Sequence, residues 1–409
     1  THSTAKSALA GLDIEMPGST YFGEALKKAV QSGEVPMARL DDMVHRILRT
    51  VFAAGLFDNP PQPKVVDVFA GLELAERVAE QGTILLKNAL GTLPLNASAL
   101  KSIAIIGGHA DVGVLSGGGS GQVDPPGGNV VPPPPGQAGR GMFGGAPVYF
   151  PSSPLKAIRA KARGAKVEYN AGTDLAAAAA LAKASDVAIV FAVQPASEGR
   201  DLASLSLPDD QDKLIAAVAA ANKRTIVVLE TGGAVTMPWL DNVAAVLEAW
   251  YPGIRGAEAI ASILFGDVNP SAKLPVTFAR SEADLPIQKI QGPPPTAAPA
   301  AGRAPGGDAP APGRGAAGGA PAAPGRGAAG GPGGGLDAMG LARGMAPFDI
   351  HYPEGLKVGY KWFDAEKKEP LFAFGHGLSY TTYAYSGLKA VEEGGQVKVS
   401  FTVRNTGKR

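Results

Sequence analysis

The sequence contains no cysteine, which excludes disulfides and thiolate metal sites. That fits either the cytosol or an export compartment in which the fold does without cross-links. Histidine is scarce. His2, His45, His109, His351 and His376 are the whole set, and no spacing among them suggests a metal site. Net charge is nearly absent: 38 Lys and Arg against 37 Asp and Glu leave +1. A balance this close offers no electrostatic footprint for nucleic acid or for an anionic membrane. No uninterrupted apolar run reaches the roughly 20 residues that a membrane-spanning helix needs. What remains is 45% hydrophobic and 18% charged, the composition of a soluble globular protein. At 409 residues the chain has room for two or three domains.

Residue 1 is Thr, without an initiator Met or a signal peptide, and the alternating run Val397 to Val403 stops soon after at Arg409. The chain is therefore expected to be the interior of a longer protein. Thr20 to Phe57 carries apolar residues at helical spacing, broken at Gly33 and Pro36. Pro60, Pro61 and Pro63 mark a linker. Leu72 to Gln81 predicts an amphipathic helix, and Thr83 to Leu86 is a short apolar run.

From Lys101 the pattern becomes regular. Strands are predicted at Ser102–Ile106, Lys166–Tyr169, Val187–Val193, Thr225–Leu229, Ala244–Trp250 and Leu274–Phe278. Helices are predicted at Leu175–Ala184, Asp209–Asn222 and Gly256–Phe265. Apolar strands alternating with helices imply an α/β fold, a mostly parallel sheet covered on both faces. Residues 291–345 are mostly Pro, Ala and Gly, too poor in apolar side chains to offset their ordering entropy, and read as a disordered insertion in a surface loop. Its few arginines lack interleaved aromatics, so a linker is preferred to a nucleic-acid tract. Leu388–Ala390 and Val397–Val403 are expected to begin an antiparallel β unit.

The chemistry is expected at Ser197 to Pro208. Glu198 follows the buried strand Val187–Val193 and precedes a helix, at the sheet edge where α/β proteins bind ligands. A solvated loop charge is the plain alternative. Glu230 also ends a strand and is its rival. Ser116 to Val123 is glycine-rich, yet lacks the Lys-Ser/Thr ending of a phosphate-binding loop. Trp250 ends a buried strand and is expected to pack in the core; Trp362 could stack its ring face on a ligand.

Several stretches together resemble the family 3 glycoside hydrolases of the β-glucosidase type. Ala8 to Pro17 is similar to the end of that family's barrel. Thr83 to Asn88 with Leu93-Pro94-Leu95 is similar to entry into its α/β/α sandwich, and Glu198-Gly199-Arg200-Asp201 with Leu205 to Pro208 to its acid/base loop. Ala249 to Gly253, Phe265 to Pro270 and Leu274 to Phe278 resemble the sandwich core, Phe374 to Tyr380 its closing signature, and Asn405-Thr406-Gly407 the first strands of a fibronectin-III-like domain.

The resemblance implies a TIM-like barrel remnant over 1–58, a linker over 59–71, the α/β/α sandwich over 72–385, and the start of a fibronectin-III-like domain over 386–409. It implies a retaining β-glycosidase that hydrolyses terminal non-reducing β-D-glucosyl residues, with Glu198 as general acid/base. It also implies Ser120, Gln122 and Asp201 near the sugar, no cofactor or metal, no nucleic acid and no membrane insertion. A homodimer is left open, and a periplasmic or secreted location follows from the family alone. A β-xylosidase and a non-catalytic carbohydrate-binding scaffold are the alternatives. The family's nucleophile lies in a Ser-Asp-Trp motif that this sequence does not contain, so the nucleophile is expected upstream of Thr1. Asp13 and Glu15 are expected to be structural. The 409 residues alone are then expected to be inactive, and measurable aryl β-glucoside hydrolysis by them would contradict this.

Overall fold

The structure is a computed structural model. It describes residues 3–16, 18–65, 67, 69–119, 121, 148–150, 152–198, 202–288 and 349–408. The insertion at 291–345 lies outside the described residues. Contacts divide the described chain into two units, one carrying residues 3–65 and the other residues 67–288 and 351–408.

The first unit holds α1 (Ala5–Leu9), α2 (Glu24–Gln31) and α3 (Met37–Ala53). The break between α2 and α3 falls where the sequence places Gly33 and Pro36, and Pro36 itself stands at the N-cap of α3. Ala8, Leu26, Ala29, Val35 and Met43 form its small core. Asp13 and Glu15 serve this packing. Asp13 pairs with Arg39 at 2.7 Å. Glu15 Oε2 accepts the Tyr21 and Phe22 backbone N–H groups at 2.9 and 2.7 Å.

The second unit begins with α4 (Leu72–Gly82) and β1 (Ile84–Asn88). There follow β2 (Ser102–Ile106), β3 (Gly113–Ser116), β4 (Val148–Phe150), α5 (Pro154–Lys161), β5 (Lys166–Asn170), α6 (Leu175–Lys183) and β6 (Val187–Gln194). Next come α7 (Gln211–Ala221), β7 (Thr225–Thr231), β8 (Ala245–Glu248), α8 (Gly256–Phe265), α9 (Tyr360–Ala365), β9 (Tyr383–Glu393) and β10 (Gln396–Asn405). The main sheet runs β1-β8-β7-β6-β2-β5. Pairings from β8 to β5 are parallel, and β1 closes one edge antiparallel to β8. This is the α/β arrangement that the alternating pattern predicts.

Every residue of β6, β7 and β8 is buried. Two apolar layers account for that. On one face Ala104, Ile106, Val190, Val227 and Leu229 meet Ala178 and Ala182 of α6 and Leu214, Ile215 and Val218 of α7. On the other, Ile103, Ile105, Ile189, Phe191, Val228 and Leu247 meet Leu155 and Ile158 of α5 and Ile260, Ile263 and Leu264 of α8. The alternation of residues between the two faces follows the two-residue period of a strand.

Three features differ from the sequence expectations. Leu274–Phe278 is not a strand. Pro275 has no N–H to give a ladder, and the flanking residues pair elsewhere: Leu274 N donates to His376 O at 2.8 Å and Phe278 N to Phe372 O at 2.9 Å. The hairpin of β3 with β4 and the helix α5 carry no strong periodic signal and were not expected. α5 then carries the chain from β2 to β5, and the Ala-rich α6 carries it from β5 to β6. β9 and β10 pair antiparallel as expected, and both are exposed along their full length. Among the described residues no helix is long and apolar enough to cross a membrane.

Ile189 sits at the centre of this layering, with none of its surface exposed. Ile189→Ala should cost about 2–5 kcal/mol, the usual range for such a truncation. Thermal denaturation should show Tm lowered by about 4 °C or more. An unchanged Tm would contradict the two-layer packing described above.

Candidate active site

Strand order reverses between β2 and β6: the chain leaves β2 for β5 on one side, then returns to β6 on the other. α5 and α6, which make these two crossovers, cover opposite faces. Such a reversal opens a crevice at the carboxyl ends of the two strands, where α/β proteins bind ligands. Glu198 stands four residues beyond the end of β6 and is exposed.

Its backbone is laced to the glycine-rich stretch after β3. Gly118 N donates to Ala196 O at 3.0 Å, and Glu198 N donates to Gly118 O at 3.3 Å. Gly118 and Ser197 form a parallel bridge. Gly119 has φ +101°, and a Cβ there would overlap the Glu198 Cβ and lie 2.9 Å from its backbone nitrogen. Both the conformation and the space require glycine. The stretch thus braces Glu198, a more specific task than a phosphate cradle.

The far end of the loop is fixed separately. Glu282 Oε1 accepts from Ser204 Oγ at 2.7 Å and from Leu205 N at 2.5 Å. These bonds hold its carboxyl below the usual range. Gln211, at the start of α7, clamps the Val193 backbone with N–H to Oε1 at 2.9 Å and Nε2 to carbonyl at 2.8 Å. Of the other expected site residues, Ser120, Gln122 and Asp201 lie outside the described residues.

Glu230 is fully buried and so is closed off from any substrate. Its two carboxyl oxygens, like both side-chain polar atoms of Gln194, have no hydrogen-bond partner among the described residues. Burial pushes the Glu230 carboxyl up to about 8. Glu248 is also fully buried, and burial raises it well above the ordinary carboxyl range. Its Oε1 accepts the Trp250 N–H at 2.9 Å, and its Oε2 bonds Thr231 Oγ1 at 3.0 Å. The bond to Trp250 matters because Trp250 has φ +56°. A left-handed conformation costs an ordinary residue roughly 1–2 kcal/mol. Trp250 packs in the core as expected, edge-on to Phe278 at 6.4 Å. Trp362 donates its Nε1 hydrogen to Asp284 O at 2.8 Å, which fixes the ring by its edge.

Sequence reasoning missed Gln211, Glu248, Tyr251 and Glu282. The Trp250-Tyr251-Pro252-Gly253 motif at a strand end was the one signal for Tyr251. Nothing local marks Glu282, which lies 77 residues from the Leu205 backbone that it holds. Among the described residues no group of three or more His, Asp or Glu could hold a metal ion. The arrangement offers one exposed carboxyl group on a braced loop, suited to giving and taking a proton.

Residues 83–380 match the family model described as the glycosyl hydrolase family 3 C-terminal domain. The chain is 33% identical over 420 residues to the probable beta-glucosidase L of Aspergillus terreus, covering 95% of this chain and 48% of that protein. It is 33% identical over 410 residues to the thermostable beta-glucosidase B of Acetivibrio thermocellus, covering 98% of this chain and 45% of that protein. Among solved structures it is similar to DesR, a beta-glucosidase from Streptomyces venezuelae in complex with D-glucose. The TM-score is 0.71 at 29% identity, covering 99% of this chain and 59% of that one. The chain spans about half the length of the curated relatives it matches.

The Glu230 carboxyl has a stability consequence of definite sign. Its folded value of about 8 lies above the ordinary 4.5. Between those pH values the folded state keeps a proton that the unfolded chain has released, so stability falls as pH rises. In thermal melts the native chain should lose more Tm between pH 5 and pH 8 than Glu230→Gln does. Parallel losses would contradict the buried, unpaired state of Glu230. Glu248 is present in both proteins, but the Glu230 charge helps to raise it, so the comparison reads the two carboxyls as a coupled pair, with the same sign.

Proposed function

The chain belongs to glycosyl hydrolase family 3, and from that we propose that it supplies the acid/base loop of a retaining β-glucosidase, with Glu198 as the proton donor. One observation carries the reading. Glu198 is an exposed carboxyl group beyond the carboxyl end of β6, beside the strand-order reversal, with its own N–H and the Ala196 carbonyl both tied to Gly118.

A retaining glycosidase sets two carboxyl groups roughly 5–5.5 Å apart across the scissile bond. In the first step the nucleophilic carboxylate bonds to the anomeric carbon as the bond to the leaving oxygen breaks. Glu198 gives its proton to that oxygen, which takes the electron pair. In the second step the Glu198 carboxylate takes a proton from water as the water oxygen replaces the nucleophile at the anomeric carbon. The nucleophile itself is expected from sequence outside these 409 residues, because the Ser-Asp-Trp motif does not occur within them. Asp13 and Glu15 are engaged with Arg39 and with backbone N–H groups, which suits a structural role.

The substrate we propose is a β-D-glucoside, after the names of the relatives and the D-glucose of the DesR complex. A β-xyloside is the neighbouring choice on this scaffold. Ser120, Gln122 and Asp201 remain the proposed sugar contacts. Residues 1–58 and 386–409 are proposed as the end of the family's barrel and the start of its fibronectin-III-like domain. An exported location is proposed from the family alone.

In the full-length protein, Glu198→Ala should lower turnover of alkyl β-glucosides by about 10²–10⁴-fold, the usual worth of a general acid or base. Activated aryl β-glucosides should suffer less in the first step, and added azide should partly restore turnover by replacing water without needing a base. Unchanged turnover would overturn the assignment of Glu198, whereas no turnover by the unmutated full-length protein would leave a carbohydrate-binding scaffold as the better description.

A further inference from the structure

Two residues past the end of β8 the chain makes the left-handed turn at Trp250 that the Glu248 carboxyl holds. The turn delivers Tyr251 to the underside of the loop that carries Glu198. The Tyr251 hydroxyl accepts the Ala196 N–H at 2.9 Å and donates to the Gln194 carbonyl. Those two partners bracket Pro195 and precede Glu198 by two and four residues. Between them Pro195 has no N–H of its own, so the Tyr251 hydroxyl is the one side-chain group bonded to both sides of this turn among the described residues.

The ring is held as closely as the hydroxyl. A Cβ at Gly117 would lie 2.9 Å from Tyr251 Cε2 and 2.8 Å from Ala196 O. A Cβ at Gly232 would lie 3.0 Å from the Tyr251 oxygen and 2.7 Å from Ala196 Cβ. The loops after β3, β6, β7 and β8 therefore meet around one phenol. Val114 and Val193 pack against it from the sheet side. Burial pushes the hydroxyl up to about 12, so its proton stays available to Gln194.

We infer that Tyr251 is a positioning residue for the acid/base carboxyl: its hydroxyl fixes the Gln194–Ala196 turn, and that turn sets where Glu198 presents its proton. The inference rests on the assignment of Glu198 made above. It goes beyond it in naming a group that touches no substrate and acts only through the loop backbone.

The test is a double-mutant comparison in the full-length protein, with two substrates. Tyr251→Phe keeps the ring and deletes both hydroxyl bonds. It should lower kcat/KM for an alkyl β-glucoside about 10-fold or more, because misplacement by about 1 Å can cost two orders of magnitude. With 2,4-dinitrophenyl β-glucoside, whose leaving group departs without a proton, kcat/KM should change less than about 3-fold. In the Glu198→Ala background, Tyr251→Phe should add no further loss with either substrate, as expected for two groups in one chain of action. Equal losses for both substrates, or an undiminished loss on top of Glu198→Ala, would show a general structural role and overturn the inference. If Tyr251→Phe is too unstable to assay, Gly232→Ala, which presses on the same hydroxyl and on Ala196, must give the same split between substrates. An even loss there overturns it too. Should Glu198→Ala alone be fully active, the earlier assignment fails first, and that result is distinct from additivity.

Discussion

Two-sided burial of the central strands is the constraint on which the rest depends. β6 presents eight successive buried residues, and β7 seven. Strands so enclosed have no wet face, so polar side chains and irregular backbone can leave the sheet only at the strand ends. The parallel pairing then sends the carboxyl ends of β2, β6, β7 and β8 to one edge. Glu198, the glycine-rich stretch, Gly232 and Tyr251 come together for that reason, from segments as much as 134 residues apart, the separation of Gly117 and Tyr251.

The same edge carries a cost. Gln194, Glu230, Thr231 and Glu248 are polar and buried where the sheet gives way to loops. Glu248 is compensated, since it bonds both Thr231 and the backbone of Trp250. Glu230 and the Gln194 side chain are not compensated by any described partner. An unpartnered buried polar group is destabilising by roughly 1–3 kcal/mol, and proteins tend to keep such groups at working edges rather than in the sheet interior. Here the compensated carboxyl fixes the turn that aims Tyr251, which gives it a use beyond packing.

Much of the fold was legible in residue order. Runs such as Ser102–Ile106 and Val187–Val193 read as enclosed strands, and Asp209–Asn222 and Gly256–Phe265 as helices, because length, side-chain type and flanking turn residues agreed. Leu274–Phe278 misled because five mostly apolar residues look alike whether they pair in a sheet or lie across it; the pairing partners at Phe372 and His376 are far away in sequence. β3, β4 and α5 were missed because their identity comes from neighbours, not from a local period. Ser153, which caps α5 by accepting from Lys156 N, is a weak signal without the sheet to receive Leu155 and Ile158.

By itself the sequence determined the alternation of strand and helix, the absence of thiol chemistry, and a carboxyl group placed just after a buried strand. Each of these is a local property, written in side-chain type and spacing. Only the tertiary structure decided that Glu230 is sealed inside while Glu198 stands outside, although both are glutamates near the ends of adjacent strands. Burial depends on what covers a residue, and the covering atoms come from elsewhere in the chain. For the same reason the phenol beneath the loop could be seen as an aromatic in a motif, but its two hydrogen bonds appeared only when β6 and β8 were laid on either side of β7.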